Sequence, residues 1–462
     1  MGYYLTIGLA TFAIALLALK IWQKTHSVAF IVGIAFIYYW TLYGAWTVIS
    51  AGGEVDTYLY YKMFPVALNA DYFLTMVLYT AFIVVIELTV LWRAKPLRMK
   101  PLTEPIAISH FKLLAICGVA GLIAYLLVRD SISFGGEVMG SAYSTIRSAP
   151  LFTIYETLLH FSMFPLSIGM AVLFSGRDAK YLTGRPSLPI FLGYTSLIGA
   201  QLLFCILVGN RGEAILCFVV MGLFYLTNAR RPHKGALAIL AGIAVVTLSL
   251  VKMTRDGTFD QIGGEGLWST VGQAIQSFTG STEVLAAHFS LYGVLHKHVP
   301  ITGGTSFVGL VCSVIPRPMW PGRPDPIYYY YIQSVGAVEG QGYTIHHATG
   351  WYLNFGVAGL LVGAYLLGLL WVELYNRFET AGRRQGLSRL FALIGFWTLT
   401  AGFPAVLREG PEVYKQIAID YMIAPMIALA FAASTLVLRQ YRPSMAIARP
   451  VRLASRTLWV NR

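Results

Sequence analysis

Apolar residues run through this chain in long blocks separated by short polar connections. Blocks of roughly 18 to 24 residues are the length a helix needs to cross about 30 Å of hydrocarbon. The pattern predicts spans near residues 3–20, 28–50, 72–92, 111–128, 151–175, 188–208, 213–228, 236–251, 350–372, 388–407 and 417–438. Such a chain is an all-α polytopic membrane protein with about eleven transmembrane helices. The first block has neither a basic flank before it nor a small-residue cleavage site after it, so it reads as a retained helix and not a signal peptide. One connection breaks the rhythm. Residues 252–349 form a long loop, and its residues 303–315 are apolar but too short to span, which suits a re-entrant or interfacial helix. The chain therefore divides into helices one to eight (1–251), the large loop (252–349), helices nine to eleven (350–438) and a basic tail (439–462).

Composition agrees with the pattern. Of 462 residues 56% are hydrophobic and 12% charged, with mean hydropathy +0.64, which excludes an ordinary soluble domain. The net charge of +13 would suggest nucleic acid in a soluble protein, but its distribution explains it otherwise. Alternate loops carry Lys20 and Lys24; Arg93, Lys95, Arg98, Lys100 and Lys112; Arg177, Lys180 and Arg185; Arg230, Arg231 and Lys234; Arg377, Arg383, Arg384 and Arg389; and six arginines from Arg439 to Arg462. These are 23 of the 34 basic residues, and short loops rich in Lys and Arg stay cytoplasmic. The expected amino terminus is outside and the carboxyl terminus inside, with anionic membrane lipid as the partner of the charge and no nucleic acid. Cys117, Cys205, Cys217 and Cys312 lie in apolar stretches without metal-ligand spacing and read as small core residues.

The remaining basic residues fall on the opposite face and point to chemistry. Arg211 sits in the short turn Gly209 to Glu213, Lys252 and Arg255 close the eighth span, Arg317 and Arg323 flank a proline-rich stretch reaching Asp325, and Arg408 opens Arg408-Glu409-Gly410. Arginine is costly to desolvate at a membrane boundary, yet its planar fork binds phosphate bidentately and keeps its charge. Several together suit the diphosphate of a polyprenyl lipid whose tail stays in the bilayer. Trp320, Tyr328 to Tyr331 and Trp351 would offer flat faces to sugar rings. Each feature also has an ordinary reading. Arg408 beside Glu409 and Arg211 near Glu213 fit local ion pairs, the aromatics fit an interfacial belt, and His346 and His347 fit interfacial residues ahead of a span. Glu87 and Glu156 within spans fit satisfied helix contacts, and Glu54 with Asp56 fits a solvated turn as well as a cation site.

In order along the chain, Gly209 to Arg211, Lys252 with Arg255, Trp320-Pro321-Gly322-Arg323-Pro324 after Ile315-Pro316, Phe355-Gly356 to Gly359, and Arg408-Glu409-Gly410 resemble the bacterial Wzy polymerases, especially the enterobacterial common antigen branch. These are oligosaccharide repeat-unit polymerases of O-antigen and related polysaccharides. The tryptophan-containing segment is the most specific, and the first 200 residues match only in hydropathy. His346 and His347, ahead of Trp351, Leu353 and Gly356, are placed like the essential histidine region of O-antigen ligases, which keeps a ligase as the alternative.

The resemblance implies a GT-C-like fold in a bacterial inner membrane and an inverting glycosyltransferase with its active site facing the periplasm. A growing glycan on undecaprenyl diphosphate would be the donor and a single lipid-linked repeat unit the acceptor, with a chain-length regulator and a flippase as possible partners. Arg211, Lys252, Arg255, Arg317, Arg323 and Arg408 would hold the diphosphate. Glu409 or His347 would be the base, with Arg211 and Arg408 catalytic, Glu213 and Asp325 as positioners, and Trp320, Tyr328 and His346 lining the substrate. No metal or cofactor is expected. Two readings compete: a flippase for the same glycan, which needs alternating access, and a metal-dependent sugar transferase resting on Glu54 and Asp56.

Overall fold

The structure is a computed structural model describing residues 2–53, 66–96, 105–129, 152–176, 179–208, 211–255, 282–312, 327–336, 344–380 and 387–437, with positions 269, 272, 320, 322 and 324. Each of the eleven expected apolar segments is helical: α1 (Gly2–Thr25), α2 (Val28–Thr41) with α3 (Tyr43–Ser50), α4 (Ala70–Arg93), α5 (His110–Val128), α6 (Phe152–Ser175), α7 (Leu188–Val208), α8 (Arg211–Asn228), α9 (Lys234–Arg255), α13 (His347–Glu379), α14 (Leu387–Glu409) and α15 (Ala424–Val437). Among the described residues eight of these helices are long and apolar enough to cross a membrane, nine if the bent pair α2 and α3 counts as one span. Residues 212–228 and 417–433 are shorter apolar helices. Among the described residues of the expected loop are the helices α10 (Thr282–His296), α11 (Thr305–Cys312) and α12 (Ile327–Val335). The second of these covers most of the apolar stretch singled out in the sequence.

Burial ranks the helices. In the apolar window of α14 83% of residues are buried, and in that of α6 78%, against 17% in α9 and 22% in α1. So α14 and α6 form the centre, while α1, α5, α7 and α9 turn apolar side chains such as Leu9, Phe111, Leu203 and Ile239 outward. Hydrocarbon lies on that surface at no hydrophobic cost, so helix association there depends on close packing and internal hydrogen bonds. Phe30 and Phe403 each place a ring centroid 4.7 Å from that of Trp371, and the Trp371 indole donates to Thr400 Oγ1 at 2.9 Å. A Cβ on Gly368 would lie 3.1 Å from the Ile86 carbonyl oxygen, so glycine is what lets α13 approach α4.

Hydrogen bonds sort the helix ends. At one end Lys24 Nζ donates to Leu91 O, Asn376 accepts from Lys95 N–H and donates to Arg93 O, and Ser109 N–H donates to Ala432 O. Two short strands, β1 (Ile106–Ala107) and β2 (Leu182–Thr183), pair in parallel there. Asn228, fully buried, accepts from the Tyr181 and Leu182 N–H groups and donates to Leu182 O. This is the end that bears the basic connections. At the other end Tyr3 OH donates to Asn69 O, Tyr4 OH to Ile49 O and Asn69 Nδ2 to Tyr292 OH.

Three irregularities shape that second end. Chain direction breaks between α2 and α3 with a bend of 40°. In α13, Gly356 adopts φ 64°, and the helix folds back so that a Cβ on Gly363 would lie 2.4 Å from the Trp351 ring. In a straight helix those residues would be about 18 Å apart along the axis. Finally, Gly410 (φ 79°) turns the chain out of α14 into a 3-10 turn (Pro411–Val413), one α turn (Tyr414–Gln416) and a π-helix (Ile417–Ile423) leading into α15.

Removing the Asn228 amide leaves two backbone N–H groups and a carbonyl without their partner. Asn228→Ala should cost about 2–4 kcal/mol and lower the unfolding midpoint of the purified protein in detergent; an unchanged midpoint contradicts the bracing role.

Candidate functional site

Glu156 and His160 stand four residues apart on α6 and so share one face, about 6 and 12 Å below the start of that helix. The α8 helix begins beside them, and its third residue, Glu213, accepts a hydrogen bond from His160 Nε2 through Oε2. From the π-helix Asp420 brings Oδ2 to 3.5 Å from His160 Nδ1. Gln416 Nε2 donates to Glu156 Oε1 at 3.1 Å. His160 is fully buried, and Glu213 and Asp420 are 7% and 6% exposed. Phe164 stacks on the imidazole and Tyr421 meets its edge, closing the apolar side. One ligand-capable atom from each of Glu156, His160 and Glu213 lies within 4.8 Å of the others. Glu409 is exposed at the end of α14 and within electrostatic reach of Glu156, so it stands at the mouth of this cluster.

A second polar network lies beside it and is neutral in character. His288 Nδ1 donates to Thr41 O at 2.8 Å, and its Nε2 accepts from Tyr72 OH at 2.9 Å. His346 caps α13 by accepting the Ala348 N–H at Nδ1, which leaves Nε2 to donate to Thr41 Oγ1 at 3.1 Å. His347 Nε2 accepts from the Trp351 indole and from Tyr414 OH, each at 3.1 Å. Ser290 and Thr349 join the set through hydroxyls 2.8 Å apart. Burial, with His347 and His288 close by, holds His346 well below the usual histidine range.

The segment after Arg408-Glu409-Gly410 joins both networks. Glu412 Oε1 accepts the first N–H of α12, Tyr414 reaches His347, Gln416 reaches Glu156 and Asp420 reaches His160. Glu412 reaches α12, Tyr414 reaches α13, and Gln416 and Asp420 both reach α6, so this short stretch sets the spacing of those three helices.

The sequence-derived residues distribute as follows. Glu213 and Glu409 come together with Glu156, and Arg408 is half-buried on the last turn of α14. Arg211 opens α8 and Lys252 with Arg255 closes α9, their side chains lying outside the described part. Arg317, Arg323, Asp325, Glu54 and Asp56 lie outside the described residues. Trp320 is 39% exposed and Tyr328 half-buried, whereas Trp351 is buried with its indole N–H committed, so it offers no open face to a sugar. His346 and His347 are fully buried inside the neutral network. Glu87, expected to be satisfied, is fully buried with neither carboxyl oxygen hydrogen-bonded among the described residues. His160 and Asp420 were not singled out from the sequence; the available signal was a glutamate and a histidine at helical spacing inside a span.

Because His346 is neutral in the folded chain and an exposed histidine titrates near pH 6.5, the unfolded chain gains a proton there first as pH falls. Stability should be full above that pH and decline below it, read as a falling unfolding midpoint between pH 7 and pH 5; a midpoint that rises contradicts the neutral network. Comparison with protein-family models, curated proteins and solved structures returns no match.

Proposed function

We propose that this chain is a membrane-embedded inverting glycosyltransferase that polymerises oligosaccharide repeat units carried on undecaprenyl diphosphate, with its site on the periplasmic face of a bacterial inner membrane. The observation that carries the reading is the hub formed by residues 408–420. The most centrally packed helix, α14, delivers Arg408 and exposed Glu409 to the mouth of an acid and histidine cluster at the end opposite the basic connections, and Arg211 opens α8 two residues before Glu213.

In this mechanism the acceptor sugar hydroxyl attacks the anomeric carbon of the donor glycan. The new carbon–oxygen bond forms as the bond to the lipid diphosphate breaks, and the diphosphate leaves with the electron pair. Glu409 takes the hydroxyl proton. Arg211 and Arg408, with Lys252, Arg255, Arg317 and Arg323, neutralise charge on the leaving group, where a low-dielectric setting strengthens each contact. Glu213 is a positioning residue for α8 through His160. A ligase that transfers the finished glycan to another acceptor would use the same leaving group, and its partners would differ only in the acceptor.

Purified protein given one lipid-diphosphate-linked repeat unit should form a ladder of longer lipid-linked glycans and release polyprenyl diphosphate. Arg408→Ala should slow this by about 10²–10³ and Glu409→Gln by about 10²–10⁴, with membrane insertion intact. Absence of a ladder with movement of intact substrate across a proteoliposome membrane makes the protein a transporter instead.

A further inference from the structure

We propose that Glu156, His160 and Glu213 form a binding site for one divalent transition-metal cation of the zinc or manganese class. The site does not depend on the glycosyl-transfer reading, and the sequence shows only Glu156 and His160 at helical spacing, because the third ligand comes from another helix.

The donor set is one imidazole nitrogen and two carboxylates, with ligand-capable atoms mutually within 4.8 Å. Ligand atoms around a cation at about 2.0–2.2 Å lie roughly 3–3.5 Å apart, so small rotations of two glutamates and one ring close the set. A cation between His160 Nε2 and Glu213 Oε2 would replace the hydrogen bond now joining them. The surroundings are those a metal-bound histidine needs. Its other nitrogen, Nδ1, has no hydrogen-bond partner among the described residues and faces Asp420 Oδ2 at 3.5 Å, so a small approach gives the carboxylate–histidine pair that fixes ring orientation and tautomer in metal sites. Glu156 is in turn oriented by the Gln416 amide.

Two observations point to a missing positive charge. Asp420 Oδ1 is buried without a hydrogen-bond partner among the described residues, in a side chain more than nine-tenths enclosed. Three carboxyl groups also converge on a single imidazole inside the bundle, among its described side chains, where each uncompensated charge is costly. The π-helix sets Asp420 in place, and such insertions are frequent at functional sites. Mixed nitrogen and oxygen donors without sulfur favour zinc or manganese over copper(I), which wants thiolates, and over magnesium or calcium, which want oxygen alone. Three protein ligands leave at least one position open to water or a ligand oxygen.

The test is direct binding, with no glycan present. Full-length protein stripped with chelator in detergent is dialysed against zinc or manganese chloride and its metal content measured. One cation per chain is expected, with affinity lowered at least about a hundredfold in His160→Gln and Glu213→Gln and about 10- to 100-fold in Asp420→Asn. X-ray absorption on the zinc-loaded wild-type chain should show one imidazole nitrogen and two or more oxygens at about 2.0–2.1 Å, a readout that needs no variant to fold. No bound metal above the detergent blank, sulfur in the coordination shell, or equal binding by folded His160→Gln protein each overturns the site. None of these results bears on whether a glycan ladder forms, so failure of the metal site and failure of the polymerase reading are separable.

Discussion

A polar side chain inside a helical membrane bundle has no water to return to, so every hydrogen-bonding group placed there must find its partner in the protein. This constraint organises the structure more than apolar packing does, because lipid is as good a surrounding for leucine as a neighbouring helix. At the basic end the solution is backbone-directed: Asn228 and Asn376 hold connecting segments by their main chain. At the other end the solution is side chain to side chain, and two networks share one corner of the chain.

That corner is residues 408–420. Gly410 permits the turn, and the 3-10 and π geometries that follow change the rotation per residue, so that Glu412 reaches α12, Tyr414 reaches α13, and Gln416 and Asp420 reach α6. A regular α-helix would return a residue to the same face every three or four positions and join fewer elements. The site is therefore built where the π-helix packs against both of the two most buried helices, α14 and α6. Pre-arranged charges at such a place cost stability and supply electrostatic preorganisation, the usual bargain at a membrane-protein site.

Much of the helix framework was legible in the chain, since an apolar block of spanning length has few other uses. The apolar stretch in the large loop also appeared as a short helix, α11. The breaks were not legible. Leu42 between α2 and α3 is an ordinary apolar residue, and the fold-back at Gly356 becomes visible only when Trp351 is found on Gly363. Glu213 and Glu409 were recognisable because charge in a short turn is conspicuous. His160 and Asp420 were hidden within apolar runs, separated by 260 positions, and only the packing of the π-helix against α6 brings them together. His346 and His347 were conspicuous as a pair, yet both nitrogens of His346 and Nε2 of His347 serve helix capping and the neutral network.

The proposed chemistry requires the cluster to face away from the cytoplasm, and this orientation links the charge pattern to the site. Side-specific labelling tests it. In a chain whose native cysteines are replaced, Ala51→Cys and Arg231→Cys mark exposed positions at the cluster end and the basic end. A membrane-impermeant maleimide should label the first from outside intact cells and the second only after permeabilisation. Labelling of Arg231→Cys from outside, or of both from one side, would contradict a site on the face opposite the basic loops.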